Sequence, residues 1–334
     1  MYTQNPPLDA ISISDLTLDY ILDPDGQPHL HLLGGKGVYA AVGMWLWGLW
    51  VGLAVSAGGD FDLSRLAPLQ RAGIDIRGVQ RHPQTLTVFW AQQYAPDGDR
   101  VDWNPHRHFA ETALAASLPD IDGFSPPSVV RAHFVDLTRL PAGYDAASAY
   151  HFARDEFLRY PQIVAGWKAR GALCGLDADW RDEPPLTPAS ADARLASLAA
   201  FNAILPSVED IHYLFGAGVD LRQAARTLGS VAQSAVVVKL GGAGSLLYQP
   251  RLDRFDQIPV VPVKAVDPTG AGDAYAGGFL AGLLKTGDPL EASLWATVSA
   301  SFVIEGYGAA YALGVDRREV QKRLAWLKEK IGRK

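Results

Sequence analysis

The stretch VYAAVGMWLWGLWVGLAVSA, residues 38–57, carries no charged side chain, and any fold of this chain has to keep it out of water. About twenty apolar residues suffice for one bilayer-spanning helix, and Trp45, Trp47 and Trp50 would suit a membrane interface. Two observations weigh against a span. Gly43, Gly48 and Gly52 interrupt the run, and its character changes partway. Residues 37–50 mix small and aromatic side chains as a buried helix does, whereas VGLAVSA at 51–57 reads as an interior strand closed by a Gly58-Gly59-Asp60 turn. No second hydrophobic segment of that length occurs, and the flanking Lys36 and Asp60 give no positive-inside bias. A buried helix followed by a core strand accounts for the missing charge without a membrane.

The rest of the chain agrees with that choice. Its 334 residues, 48% hydrophobic and 20% charged, can bury a sizeable globular core. A net charge of −6 gives no electrostatic reason to expect nucleic acid or an anionic membrane as partner. Small anionic substrates stay open, because local amides and a few cations can hold them. The single cysteine, Cys174, excludes an intrachain disulfide, and MYTQNPPLDA lacks the basic and apolar regions of a signal peptide. A cytoplasmic protein is the expectation.

Strands and helices then alternate. Strands are expected at 133–137, 172–176, 203–205 and 235–240, and helices at 154–170, 191–201, 220–228 and 317–330. AVVVKL at 235–240, β-branched and followed by Gly241-Gly242, is the clearest interior strand. Such alternation implies a parallel sheet covered by helices on both faces. Residues 16–33 and 84–103 break the rhythm: both are strand-like and carry Asp-Gly turns, which suits a small β lid over a pocket. No repeat or long linker divides the chain, so 1–334 is read as one domain.

The segment VDPTGAGDAYAGGFLAGLL, 266–284, carries the chemistry. Pro268 and Gly270 break structure before a run suited to a packed helix. Gly270, Ala271 and Gly272 therefore stand at a helix N-terminus, where unpaired N–H groups and the helix dipole favour an anion. Asp273 alone would be an ordinary first-turn acid. The glycines and Asp267 beside it suit a carboxylate that deprotonates a hydroxyl attacking a phosphoryl group held by the amides.

DPTGAGDAYAGGF closely resembles the C-terminal signature of the ribokinase-like, or PfkB, carbohydrate and nucleoside kinases, and the likeness runs from about residue 10 to about 315. It implies a three-layer α/β/α sandwich with a mostly parallel sheet and a β lid. It further implies that Asp273 is the catalytic base and that Gly270, Ala271 and Gly272 form the anion hole. In members that use a monovalent cation such as K⁺, the positions of Asp267 and Thr269 contribute to its site. GGKG at 34–37 resembles the family's sugar-binding signature, so Gly34, Gly35 and Lys36 are expected at the acceptor, with Asp19 of LDYIL accepting sugar hydroxyls. Tyr39 stands where ribokinase-like members often have Asn, which puts ribose itself in doubt. Gly58-Gly59-Asp60-Phe61 resembles a structural turn of the family.

KLGGAGS at 239–245 resembles the segment near the nucleotide phosphates, with Lys239 in place of the commoner Thr and with Gly241 and Gly244 in the loop. ILPSVEDI, 204–211, takes the place of an Asn-x-x-Glu segment associated with Mg²⁺; Ser207 replaces the Asn and Asp210 retains the carboxylate. Asp177, at a strand end, faces the same crevice or pairs with Arg181. Phe89, Trp90 and Tyr94 are read as lid packing, His106 and His108 as a surface loop, and His29 and His31 as strand neighbours. The resulting expectation is an enzyme that uses ATP and Mg²⁺ to phosphorylate a hydroxymethyl group of a sugar or sugar-like substrate. A nucleoside kinase of the same fold and a catalytically silent sugar-binding or interaction member are the alternatives. Lid sheets of this kind can pair between subunits, which admits a homodimer.

Overall fold

Alternate residues of the β-branched strands split between two helical layers, and that split builds the architecture. The computed structural model describes residues 7–95, 134–177, 179–180, 185–187 and 189–332. Its main sheet has the order β12 (Arg254–Ile258), β11 (Ser245–Gln249), β10 (Ala235–Lys239), β9 (Ala203–Ile204), β8 (Leu173–Leu176), β7 (Ala149–Phe152), β1 (Ala10–Asp15), β4 (Val51–Gly58), β5 (Gln80–His82). Pairings from β10 through β5 are parallel, and the β10–β11 and β11–β12 pairings are antiparallel. Val236 and Val238 face one layer while Ala235 and Val237 face the other.

Helices α1 (Lys36–Trp45), α2 (Ala67–Arg71), α8 (Ala271–Thr286), α9 (Pro289–Val303) and α10 (Arg317–Lys330) cover one face. The other face carries α3 (Glu156–Arg159), α4 (Pro161–Ala169), α5 (Ala191–Leu198), α6 (Val208–Phe215) and α7 (Leu221–Gly229). This is the expected three-layer sandwich. A separate sheet, β3 (Pro28–Gly34), β2 (Thr17–Leu22), β6 (Val88–Gln93), is the expected lid, and its continuation through 96–103 lies outside the described residues.

Glycines let α1 and α8 touch backbone to backbone. A Cβ on Gly43 would lie 3.0 Å from Ala274 Cα, and one on Gly277 would lie 2.8 Å from Ala40 C. The two contacts are reciprocal. They bring the N-terminal half of α1 beside the first turns of α8, and the site depends on that.

No helix among the described residues is long and apolar enough to cross a membrane. The tryptophans of the opening stretch have packing roles instead. Trp45 donates to Ala72 O at 2.8 Å, and Trp47 stacks on Trp295 with ring centroids 4.0 Å apart and donates to Ser299 Oγ at 2.9 Å. Trp50 is exposed.

Several local expectations need correction. The first helix stops at Trp45 rather than 50, because Gly48 (φ 79°) closes a turn that Trp47 N–H and Gly48 N–H complete with the carbonyls of Met44 and Trp45. The helix expected over 154–170 breaks into α3 and α4 at Pro161, which fits only the first turn of a helix. No strand spans 134–137; Asp136 instead caps a 3₁₀ turn, Leu137–Arg139. The β7 strand was missed because AYHF is short and contains His151, which is buried. His106, His108 and His133 lie outside the described residues.

Candidate active site

Strand order departs from β1 in two directions, to β4 and to β7, and at such a switch point the carboxyl ends of the strands open a ligand crevice. Asp15, Arg154, Asp177 and Lys239 stand at or just beyond the ends of β1, β7, β8 and β10. The lid strand β2 leaves directly from the end of β1.

Asp19 on β2 is buried, accepting from Thr17 Oγ1 at 2.5 Å and from the Tyr39 hydroxyl at 3.1 Å. Burial pushes its pKa up to about 7; the two hydrogen bonds oppose the rise, and the charges of Asp267 and Asp273 add to it. Gly34 leaves room for this carboxyl, since a Cβ there would sit 2.6 Å from Asp19 Oδ1. Gly35, at φ 99°, turns the chain from lid to helix in a conformation other residues rarely adopt. Lys36 Nζ lies 2.6 Å from Asp179 Oδ2. Arg154 clasps Asp15 through Nη2 at 2.6 Å and Nε at 2.9 Å. Burial alone would raise the pKa of Asp15, but Arg154 and Lys36 outweigh it and hold the carboxyl below its usual value.

The phosphoryl side is the start of α8. Gly270, at φ 77°, is its N-cap, and a Cβ there would run into the Tyr39 ring. The N–H groups of Gly270 and Gly272 have no acceptor among the described residues, whereas Ala271 N–H donates to Pro268 O at 3.1 Å. Of the three amides expected to form the hole, Ala271 N–H is therefore engaged in the turn that precedes the helix. Asp273 is half-buried among charges. Burial raises its pKa to about 7, Asp177 adds to the rise, and Lys36 and Lys239 oppose it. Beneath it, His151 holds Nδ1 3.3 Å from Ser12 Oγ, and burial lowers its pKa to about 3, so it stays neutral.

Lys239 forms an ion pair with the buried Asp177, and its Nζ would lie 3.3 Å from a Cβ on Gly272. Burial works against the Lys239 charge, but Asp177, Asp210 and Asp273 outweigh it and raise its pKa. Asp177 thus pairs with Lys239 at the crevice, and Arg181, its other candidate partner, lies outside the described residues. Beyond Lys239, a Cβ on Gly241 or Gly242 would meet nothing within 4 Å, so the loop backbone is open to an approaching group. Gly244 (φ 88°) packs against Ile258 O, which gives it a structural place in the loop.

Ser207 and Asp210 form a capping box on α6. Ser207 N and Oγ donate to Asp210 Oδ2 at 2.8 and 2.6 Å, and Trp180 N donates to Oδ1 at 3.3 Å. Asp267 is buried; its Oδ1 accepts from Thr269 N at 2.9 Å, and its Oδ2 has no partner among the described residues. Tyr94, at the end of the lid, is 3.0 Å from Thr269 Oγ1, so it reaches the signature segment as well as packing in the lid. His29 stacks on Tyr307 with centroids 3.5 Å apart, and His31 Nδ1 is 2.9 Å from Tyr20 Oη, as lid packing requires. Asp60 ties the Gly58–Gly59 turn to Thr87 N at 2.8 Å, a structural role.

Asp15, Arg154, Asp179 and His151 escaped the sequence reading. Asp15 ends β1 and Arg154 follows β7, two strands the sequence reading did not identify, and His151 lies inside β7; Asp179 stands just past Asp177 beyond the end of β8, where the rule that strand ends line the crevice would have found it.

Comparison with known proteins bears on this geometry. The model of the pfkB family carbohydrate kinases matches residues 177–314. A 2-dehydro-3-deoxygluconokinase of Thermoproteus tenax is 32% identical over 259 residues, covering 76% of this chain and 73% of that protein. The chain belongs to the PfkB family. A cytidine kinase of Thermococcus kodakarensis is 28% identical over 284 residues, 85% of this chain and 91% of the relative. In fold, this PfkB member is similar to the Vibrio cholerae O395 fructokinase solved with fructose, ADP and calcium, with TM-score 0.69 and 19% identity over 95% of this chain and 99% of that one. The PfkB chain is accordingly a carbohydrate kinase of the sugar and nucleoside kinase group.

Proposed function

We propose that this kinase transfers the γ-phosphoryl group of ATP to a hydroxymethyl group of a sugar or sugar-like acceptor, with Asp273 as general base. The observation that carries the reading is the meeting of three parts in one crevice: the half-buried Asp273 carboxyl, the glycine-flanked start of α8, and the Asp19–Tyr39 pair. The acceptor O–H bond breaks and its proton passes to Asp273. The acceptor oxygen forms a bond to phosphorus as the bond to ADP breaks, and the Gly270 and Gly272 amides face the developing charge. Asp19, with Gly34, Gly35 and Lys36 around it, orients the acceptor; Tyr39 holds Asp19 and shapes the pocket wall. Lys239 and the open Gly241–Gly244 loop receive the nucleotide phosphates.

Among the described residues no group of three His, Cys, Asp or Glu side chains is arranged to hold a metal ion. Asp210, already accepting on both oxygens, suits a Mg²⁺ ion carried mainly by phosphates and water. When bound, that ion neutralises phosphate charge. Asp267 Oδ2, without a hydrogen-bond partner among the described residues and with Thr269 beside it, suits a monovalent cation such as K⁺.

Asp273→Asn should lower kcat by orders of magnitude while nucleotide binding persists; near wild-type turnover would overturn the assignment. The second reading, a nucleoside acceptor, draws on the cytidine kinase likeness over most of both chains. A panel of sugars and nucleosides read by ADP release separates the two.

A further inference from the structure

The buried ion pair between Lys239 and Asp177 has a geometry that charge neutralisation alone does not require. Asp177 is 2% exposed; one oxygen holds Lys239, and the other, Oδ2, has no donor among the described residues. That second oxygen is a costly thing to bury unless something shares it. Lys239, which holds Asp177, would have its Nζ 3.3 Å from a Cβ on Gly272, the neighbour of Asp273, so both carboxyls meet at one cation, and, beyond burial, Asp177 pushes the Asp273 pKa up. Two neighbouring carboxylates cannot both ionise cheaply, so a proton between them satisfies both. Lys239 fixes Asp177 from the far side and also lies close to Gly272.

We propose that Asp177, anchored by Lys239, is a positioning residue that tunes the Asp273 base through a shared hydrogen bond. The proposal rests on the reading of Asp273 as the base. Every element packed against Asp273 contributes a group to be weighed. Lys36 and Tyr39 come from α1, Asp19 from β2, His151 from β7, Asp177 from the end of β8 and Lys239 from β10. His151 is neutral, Tyr39 stays protonated, Lys36 has its own partner in Asp179, and Asp19 is held by Thr17 and Tyr39. Asp177 and Lys239 are thus the adjustable pair, and their charges act on Asp273 in opposite directions.

The test is the pH profile of kcat at saturating ATP and acceptor. The base works only when deprotonated, so activity rises with pH through its titration. Asp177→Asn removes a neighbouring anion and leaves the Lys239 charge uncompensated; the acid limb should move down by about one pH unit or more. Lys239→Met removes a cation, and the limb should move up by a similar amount. Opposite movements support the proposal. Lower kcat with both limbs where the wild type has them would overturn it, since a purely structural pair leaves the titration in place. If Asp177→Asn does not fold, an unmoved or lowered limb in Lys239→Met overturns it alone. The underlying reading fails separately: Asp273→Asn would then keep its turnover, whatever the two limbs do.

Discussion

The contact between α1 and α8 can be tested by a single methyl group. Gly277→Ala places a Cβ 2.8 and 2.9 Å from Ala40 C and Cα, with Ala40 O nearer still. Unstrained carbon contacts lie at about 3.5–4.0 Å, so α1 must retreat by roughly 1 Å. The obstacle is helical backbone, which cannot rotate out of the way as a side chain can. Overpacking of this kind costs about 1–3 kcal/mol, with backbone clashes toward the upper end, and the helix propensity gained from Ala returns about 1 kcal/mol. A net loss of about 2 kcal/mol should appear in urea denaturation. Activity should suffer more than stability, because α1 carries Lys36 and Tyr39 while α8 carries Gly270 and Asp273. A 1 Å misplacement of reacting groups costs about 100-fold. Gly43→Ala, which meets Ala274 from the other helix, should behave alike. Gly166→Ala on α4 is the control, since its Cβ would find only Arg170 Nη1 at 3.9 Å; it should gain about 0.5–1 kcal/mol. If Gly277→Ala matches that gain and turns over normally, the close helix contact does not position the site.

Three further outcomes follow from single groups. Ser207→Ala removes the N-cap of α6, whose Oγ accepts from Asp210 N at 3.1 Å, and should cost about 1 kcal/mol by thermal or urea melting. Glu156 is buried with neither oxygen bonded among the described residues, and burial raises its pKa from 4.5 to about 7. Its folded pKa lies above its unfolded one, so wild type loses stability as pH rises from 4.5 to 7; Glu156→Met should gain on it across that window by up to about 3 kcal/mol and then plateau. A flat difference from pH 5 to 8 would show that Glu156 stays ionised or finds a partner. For Asp267, replacing choline chloride by KCl at constant ionic strength should raise kcat in wild type, and Asp267→Asn should abolish the response; an equal response in both places the ion elsewhere.

Periodicity sufficed for the layers of this fold, because interior strands such as AVVVK and the charged α10 helix differ in pattern over their whole length. It failed where one residue decides. Pro161 splits a helix, Gly48 ends another, and β7 reads as nothing in particular because a buried His interrupts its apolar run. The glycine-flanked Asp273 and the GGKG turn were legible since their chemistry lies in consecutive residues. The Arg154–Asp15 clasp and the Lys36–Asp179 pair were not, because each joins residues more than a hundred positions apart through the parallel crossovers.

The three positions at which the chain departs from the motifs it resembles show what such long-range pairing does. Read singly, Tyr39, Ser207 and Lys239 look like erosion of a kinase site. In the folded chain each has a partner: Tyr39 donates to Asp19, Ser207 caps α6 with Asp210, and Lys239 holds Asp177. Here the replacements bind the very carboxylates that line the crevice. Tyr39 also fills the space opposite Gly270, so it sets how closely an acceptor can approach the start of α8. Tyr39→Phe keeps that bulk and drops the hydroxyl, leaving Asp19 with Thr17 alone; the acceptor KM should rise with kcat little changed, as expected for a group that orients the acceptor's partner without touching the transferred phosphoryl. A fall in kcat at unchanged KM would place the Tyr39 hydroxyl in the phosphoryl-transfer step instead.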